Sequence, residues 1–312
     1  NLCLFSKTQH FLLIFLYYSY YFYSTGLSVI VKEKYQLTNQ RWIFMDKERL
    51  LELSELISQI ALKASKRIMD IYLGKEFTQK KKEDGSPVTE ADLSSHRLII
   101  EEINNLDLNF PVLSEEDESK HKEDNKTFWL IDPLDGTKEF LNRNGEFTVN
   151  IALIENGAPR LGVVSAPAKG ELFKGIPGVG AYKEIDGSQN QIKTRSLKQE
   201  MITVTVSRSH QTEKDHQFLQ RVSKNFKEIE LIEAGSSLKL CRVAEGEADI
   251  YCRMGPTSQW DIAAGQAIVE AAGGVLRGLG GDNFHYVLDS EKKNPEFYCV
   301  GDLGFPWKNL FS

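Results

Sequence analysis

The chain has 312 residues, with 38 Lys and Arg against 44 Asp and Glu, a formal net charge of −6. Hydrophobic residues at 41% and charged residues at 26% are globular proportions and exclude overall disorder. The acidic balance argues against a nucleic-acid polymer as partner, which needs a basic face. The four cysteines (Cys3, Cys241, Cys252, Cys299) form no C-x-x-C pair, which excludes a zinc ribbon or disulfide scaffold and fits a reducing, cytoplasmic setting.

Residues 1–44 differ from the rest. They hold 6 of the 11 tyrosines, four basic residues (Lys7, Lys32, Lys34, Arg41) and one acidic residue (Glu33), so the remainder carries −9. Residues 11–31 contain no charge and are long enough to span a bilayer. Their tyrosines, from Tyr17 to Tyr23, suit an interface better than a bilayer centre. Lys7 and Ser24-Thr25-Gly26 match a signal peptide poorly. The favoured reading is a misassigned start, with the native protein opening at Met45. The rival is an anchor through 11–31 that tethers the protein to the cytoplasmic face of the inner membrane.

From Met45 onward the elements follow in order. Asp46 is a helix cap, and Leu50, Leu53, Ile57, Ile60, Ala64, Ile68 and Ile71 recur at helical spacing, which predicts a helix to about Gly74. Residues 79–87 read as a charged turn. Thr89-Glu90-Ala91-Asp92 is a capping box opening a second helix through Ile103. Short strands are expected over 110–113 and 128–131, with a charged loop from Glu115 to Lys126. Gly and Pro turns then separate strands over 149–154, 160–165, 170–173 and 180–182. A strand over 201–206 leads into alternating units: helix 212–225, strand 228–232, helix 237–244, strand 249–252, helix 260–272 and strand 298–300. This is an α/β chain, α+β at first with an alternating second half, in two subdomains (about 45–195 and 196–312) with a cleft between them.

The chemistry centres on Trp129-Leu130-Ile131-Asp132-Pro133-Leu134-Asp135-Gly136-Thr137. An apolar strand delivers Asp132, and a Pro turn projects Asp135. Carboxylates this close repel unless a cation lies between them. Hard divalent ions take oxygen ligands, and the Leu134 carbonyl can be one. Gly136 and Thr137 open the next turn, where backbone N–H groups can hold a phosphate. Glu115-Glu116-Asp117 also follows a strand and can reach the same place. Taken singly, Asp261 reads more commonly as an N-cap and Asp92 as the acidic end of a capping box.

Taken together, Leu113-Ser114-Glu115-Glu116, the Asp132–Thr137 motif and Trp260-Asp261-Ile262-Ala263-Ala264-Gly265 resemble the inositol monophosphatase superfamily of Mg²⁺-dependent, lithium-sensitive phosphatases. The resemblance covers about 45–300. It implies a layered α/β/α/β/α sandwich and a phosphatase domain over 45–312. It implies two to three Mg²⁺ ions: one on Glu115, Asp132 and the Leu134 carbonyl, a second on Asp132, Asp135 and Asp261, and a weaker third near Glu115 and Asp92. A Thr137–Asp92 pair would activate the attacking water. If the Asp92 carboxylate is consumed by its helix cap, it cannot also orient Thr137.

Within the superfamily, Lys138-Glu139-Phe140, the run Arg143–Asn150, Ser207-Arg208-Ser209-His210 and Gly235-Ser236-Ser237-Leu238-Lys239 resemble the 3′(2′),5′-bisphosphate nucleotidase branch. By that resemblance His210 contacts the nucleotide, while Ser236, Lys239 and Arg253 hold its 5′-phosphate. Surface solvation is the common fate of residues such as Lys239 and Arg253, and an exposed turn that of His210, but the binding reading is favoured because all three lie beside the expected cleft. The expected reaction removes the 3′-phosphate from adenosine 3′,5′-bisphosphate, giving AMP, and from 3′-phosphoadenylyl sulfate, a step of sulfur metabolism. The alternatives are inositol monophosphatase or fructose-1,6-bisphosphatase activity, and a membrane-tethered binding protein without catalysis.

Overall fold

A helix of 26 residues, α1 (Lys47–Tyr72), is the first element described in the computed structural model. The structure describes residues 46–74, 78–81, 87–117, 122–123, 125–198, 200–208 and 212–311. The readings made for residues 1–44 and for His210 lie outside them. Every helix and strand named below belongs to the unit formed by residues 46–105 and 109–312. Asp46 caps α1 by accepting from the Arg49 N–H at 3.0 Å. The predicted stripe Leu50, Leu53, Ile57, Ile60, Ala64 and Ile68 is buried. Helix α2 (Glu90–Asn104) begins at the predicted capping box of Thr89 and Asp92 and packs beside α1. No helix among the described residues is long and apolar enough to cross a membrane.

Seven strands form the first sheet: β3 (Val112–Ser114), β5 (Thr127–Asp135), β6 (Thr148–Glu155), β7 (Ala158–Ala166), β8 (Glu171–Ile176), β9 (Gly180–Ile185) and β10 (Ser188–Ile192). Their order is β10-β9-β8-β7-β6-β5-β3, antiparallel except for the parallel β3–β5 pair. The second sheet has the order β12-β11-β13-β16-β14, from β11 (Met201–Ser207), β12 (Glu228–Ala234), β13 (Ile250–Arg253), β14 (Val275–Gly278) and β16 (Phe297–Val300). Parallel pairing joins β12, β11 and β13, and antiparallel pairing joins the rest.

Helices separate and flank the sheets. Helix α1 packs on β6, β7 and β8, and helix α6 (Ala263–Ala271) packs on the same three strands and on β14. Helix α5 (Leu238–Ala244) lies beside α6. Phe218 and Val222 of α4 (Glu213–Asn225) join Ile202, Val204, Ile250 and Val300 in a separate core. The layers are therefore helix, sheet, helix, sheet, helix, as the resemblance implies. Each fully buried Leu, Ile or Val contributes roughly 1.5–3 kcal/mol, so both cores matter to stability.

Two glycines allow α6 to lie close to the first sheet. Gly162 and Gly175 face each other across β7 and β8. A Cβ on Gly162 would lie 2.2 Å from the Ala264 carbonyl oxygen, and one on Gly175 would lie 2.5 Å from the Ile268 Cα. Both obstacles are helix backbone, which cannot swing aside as a side chain can.

Several predicted boundaries are corrected. The charged turn over 79–87 contains strand ends: β1 (Gln79–Lys81) pairs antiparallel with β2 (Pro87–Thr89). The charged loop after Glu115 includes β4 (Lys122–Glu123), which pairs with β15 (Leu288–Asp289). Strand β5 continues through Asp135 rather than ending at Ile131. The helix expected from Trp260 is a separate 3₁₀ turn, Gln259–Asp261, followed by α6. Strands β10 and β14 have no counterpart in the predicted set, because β10 is polar and exposed and β14 is short and ends in glycine.

Gly175→Val is expected to lower stability by about 2 kcal/mol or more, since the backbone it meets must shift. Guanidinium unfolding checks this, and a midpoint matching the wild type contradicts the close-packing account.

Candidate active site

Strand β5 brings Asp132 and Asp135 to one cavity by breaking its own register. Asp132 pairs with Asn150 and Asp135 with Thr148, so three steps on β5 match two on β6. In a regular strand, residues three apart face opposite sides. The bulge re-aims them, and both line a cavity of about 320 Å³. The Leu134 N–H donates to Asp132 Oδ1 at 3.0 Å, and Ser95 of α2 donates to the Pro133 carbonyl at 2.7 Å. Those two bonds pin the Pro turn from both sides.

Glu115 follows β3, and its N–H continues the pairing by donating to the Ile131 carbonyl at 3.1 Å. Asp261 ends the 3₁₀ turn, where the Ser258 N–H donates to its Oδ2 at 2.8 Å. One oxygen from each of Glu115, Asp132 and Asp261 lies within 4.8 Å of the others. Burial pushes the Asp132 carboxyl well above its usual range, and Glu115, Asp135, Asp261 and Glu116 push it further. Burial, Asp135 and Glu115 do the same to Asp261. Such a set is unfavourable when ionised alone and fits a hard divalent cation, which prefers carboxylate and carbonyl oxygens. Leu134 lines the same cavity.

Asp135 stands beside this trio. Its Oδ2 accepts from Ser237 Oγ at 2.9 Å and from Asn150 Nδ2 at 3.4 Å. Burial raises its carboxyl, while Lys239 and the Ser237 hydroxyl work the other way. Ser237 Oγ is also within 2.8 Å of the Asp261 carbonyl and accepts from Asn150 Nδ2 at 2.7 Å. One hydroxyl thus joins β5, β6 and the 3₁₀ turn.

Asp92 fills its two readings at once. Its Oδ2 takes the capping bonds from the Thr89 N–H at 2.7 Å and the Thr89 hydroxyl at 2.6 Å. Its Oδ1 accepts from the Thr137 hydroxyl at 3.0 Å. The expected conflict between capping and orienting Thr137 does not arise, because a carboxylate has two oxygens. Burial raises the Asp92 carboxyl, and the bonds from Thr89 and Thr137 oppose that rise.

Gly136, Thr137, Ser236, Lys239 and Arg253 also line the cavity. Gly136 has φ +89° and caps the short helix α3 (Thr137–Leu141). A Cβ there would lie 2.1 Å from Ser236 Oγ. The Ser236 hydroxyl lies 2.9 Å from the Asp135 carbonyl and 2.7 Å from the Glu146 carbonyl, so its proton is committed to the backbone. Lys239 is 7% exposed, which excludes surface solvation. Burial pushes its ammonium down to about 8 against the pull of Asp135, and it donates to the Ser236 carbonyl at 2.7 Å. Arg253, at the end of β13, donates to the Pro256 carbonyl at 3.5 Å.

The roles of Ser237, Asn150 and Tyr251 escaped the sequence reading. Tyr251 lines the cavity with the Lys239 ammonium 5.6 Å from its ring centre. Their partners come from distant segments, so no local pattern marks them.

Residues 49–296 match the inositol monophosphatase family, and the chain belongs to it. It is 44% identical over 246 residues to the 3′(2′),5′-bisphosphate nucleotidase CysQ of Salmonella typhimurium, covering 78% of this chain and 97% of that protein. CysQ of Escherichia coli K12 is 42% identical over 244 residues, covering 77% and 96%. Among solved structures, CysQ of Bacteroides thetaiotaomicron, a bacterial member of the inositol monophosphatase family, has a TM-score of 0.68 at 37% identity, covering 80% of this chain and 97% of that one. An IMPase of Thermotoga maritima has a TM-score of 0.67 at 26% identity, covering 82% and 95%.

Ser237→Ala is expected to cost about 1–3 kcal/mol, because it removes the hydroxyl that accepts from the buried Asn150 amide and whose one proton lies between the Asp135 carboxylate and the Asp261 carbonyl. Chemical denaturation measures this, and an unchanged midpoint contradicts the role given to the hydroxyl.

Proposed function

We propose that the protein is a Mg²⁺-dependent 3′(2′),5′-bisphosphate nucleotidase. It removes the 3′-phosphate from adenosine 3′,5′-bisphosphate, giving AMP, and from 3′-phosphoadenylyl sulfate. One observation carries this reading: a single cavity is lined both by the carboxylates Glu115, Asp132 and Asp261 and by the cations Lys239 and Arg253. A phosphate at the carboxylate end needs a cation between them. A second phosphate needs cationic side chains of its own, because an unpaired phosphate in a cleft is costly. The relatives named as bisphosphate nucleotidases favour this substrate over inositol phosphates or fructose 1,6-bisphosphate.

In this proposal Glu115, Asp132, the Leu134 carbonyl, Asp135 and Asp261 hold two Mg²⁺ ions, with a third near Glu115 and Asp92. Bound there, the ions supply positive charge toward the phosphate and acidify water. The protein's own groups set the geometry. Thr137 donates its proton to Asp92, which leaves the threonine oxygen as an acceptor that aligns a water for attack on phosphorus. As the water oxygen bonds to phosphorus, the bond from phosphorus to the 3′-oxygen breaks, and a proton from water completes the AMP hydroxyl, with inorganic phosphate as the other product. Gly136 has no side chain to crowd the phosphate. Lys239 and Arg253 take the 5′-phosphate. Ser236 serves it by carrying Lys239 on its carbonyl, and His210 contacts the nucleotide.

The test is phosphate release with Mg²⁺ from adenosine 3′,5′-bisphosphate, inositol 1-phosphate and fructose 1,6-bisphosphate. The nucleotide is expected to give a kcat/KM at least about tenfold above the others, the worth of one well-made charged contact. A preference for inositol 1-phosphate overturns the nucleotidase reading, and no release from any substrate overturns the enzyme itself. Asp135→Asn is expected to abolish turnover while circular dichroism stays native. Near-normal release from that variant contradicts the site.

A further inference from the structure

Glu146 lies between α3 and β6, and its side chain joins three segments. Arg208 donates to it twice, from Nε to Oε2 at 2.8 Å and from Nη2 to Oε1 at 3.3 Å. The Gly235 N–H donates to Oε2 at 2.9 Å. Lys169 Nζ lies 3.6 Å from Oε1. The residue is 8% exposed. Burial by itself would raise its carboxyl, but Arg208, Lys169 and the Gly235 N–H outweigh that and hold it below the usual range. Arg208 reaches Glu233 as well, at 2.9 Å.

The segment Glu146 grips is the turn that carries Lys239. A Cβ on Gly235 would lie 2.7 Å from the Glu146 carbonyl oxygen and 2.9 Å from its Cβ, so the two backbones touch there. Ser236 follows with φ +49°, a left-handed conformation that a non-glycine residue holds only when its surroundings enforce it. Its hydroxyl bridges the carbonyls of Glu146 and Asp135, and its own carbonyl accepts the Lys239 ammonium. The path from Glu146 to Lys239 therefore takes two hydrogen bonds, both through the Gly235–Ser236 segment. Glu146 is not among the residues that line the cavity.

We propose that Glu146 is a positioning residue for the second phosphate: it fixes the Gly235–Lys239 turn against the Asp132–Thr137 motif and so sets the preference for bisphosphorylated over monophosphorylated nucleotides. This rests on the nucleotidase reading above. The charge on Glu146 is needed because one carboxylate must satisfy a guanidinium and a backbone N–H together. Glu146→Gln keeps the volume, but it removes the charge and sets an NH2 group against Arg208 Nη2 and the Lys169 ammonium at the Oε1 position, which weakens the grip.

Steady-state kinetics with adenosine 3′,5′-bisphosphate and adenosine 3′-monophosphate test the proposal. For Glu146→Gln, KM for the bisphosphate is expected to rise about tenfold, with kcat changed less than about threefold. Both parameters for the monophosphate should stay within about threefold of wild type. In a Lys239→Ala background the same substitution should add less than about twofold, because the two act on one contact. Equal losses on both substrates would make Glu146 a merely structural ion pair and overturn the proposal. So would an unchanged KM, or full additivity with Lys239→Ala. If Glu146→Gln does not fold, Arg208→Gln replaces it, with an expected rise of about threefold in KM for the bisphosphate alone. A wild-type protein that releases no phosphate from the bisphosphate overturns the nucleotidase reading, and this inference with it.

Discussion

The site depends on a repulsion. Glu115, Asp132, Asp135 and Asp261 converge on one cavity, and Glu115, Asp135 and Asp261 all push the Asp132 carboxyl up. Burial is the larger cause of the raised carboxyls, since ionised groups lose water there, and the mutual repulsion adds to it. A fold that gathers and buries such groups sacrifices stability for a place that can hold a metal ion. The acidity of the chain, which argues against a nucleic-acid backbone as ligand, is at this point, in the proposed function, the means of meeting a phosphate.

The surrounding structure holds the carboxylates in place by satisfying their spare oxygens and neighbouring carbonyls. Ser95 pins Pro133, Ser258 pins Asp261, and Ser237 ties Asp135 to the Asp261 turn. These bonds come from α2, from the loop before α6 and from the start of α5. The glycine pair on β7 and β8 lets α6 sit close to the sheet. The same helix follows directly from the Asp261 turn, so packing in the core and placement of a carboxylate are one constraint. Lys239, which lines the same cavity, is buried without a carboxylate hydrogen bond among the described contacts, and Asp135 favours its charged form against burial.

Much of this was legible in the sequence, for identifiable reasons. Helices α1 and α2 announce themselves by a 3.6-residue stripe and by Asp46 and Thr89 caps, and local physics decides both. The Asp132–Thr137 motif is legible because its carboxylates lie three residues apart next to an apolar strand. What was not legible depends on partners far away in the chain. Strands β4 and β15 have two residues each, too few for a pattern. Lys239 looks solvated until α5 is placed against Tyr251 and Asp135. Asp92 looks forced to choose between a cap and Thr137, until its two oxygens are seen to face different partners. Glu146 meets Arg208 and Gly235 across 62 and 89 residues, a separation that no motif records.

Family membership and the arrangement of charge point in the same direction, and the cation is the link between them. Calorimetric titration of Mg²⁺ into the wild type and into Asp132→Asn tests that link most directly. The account predicts saturable binding to the wild type and an affinity at least about tenfold weaker for the variant, which loses a central ligand. Absence of binding to the wild type, or equal affinity for both proteins, would contradict it.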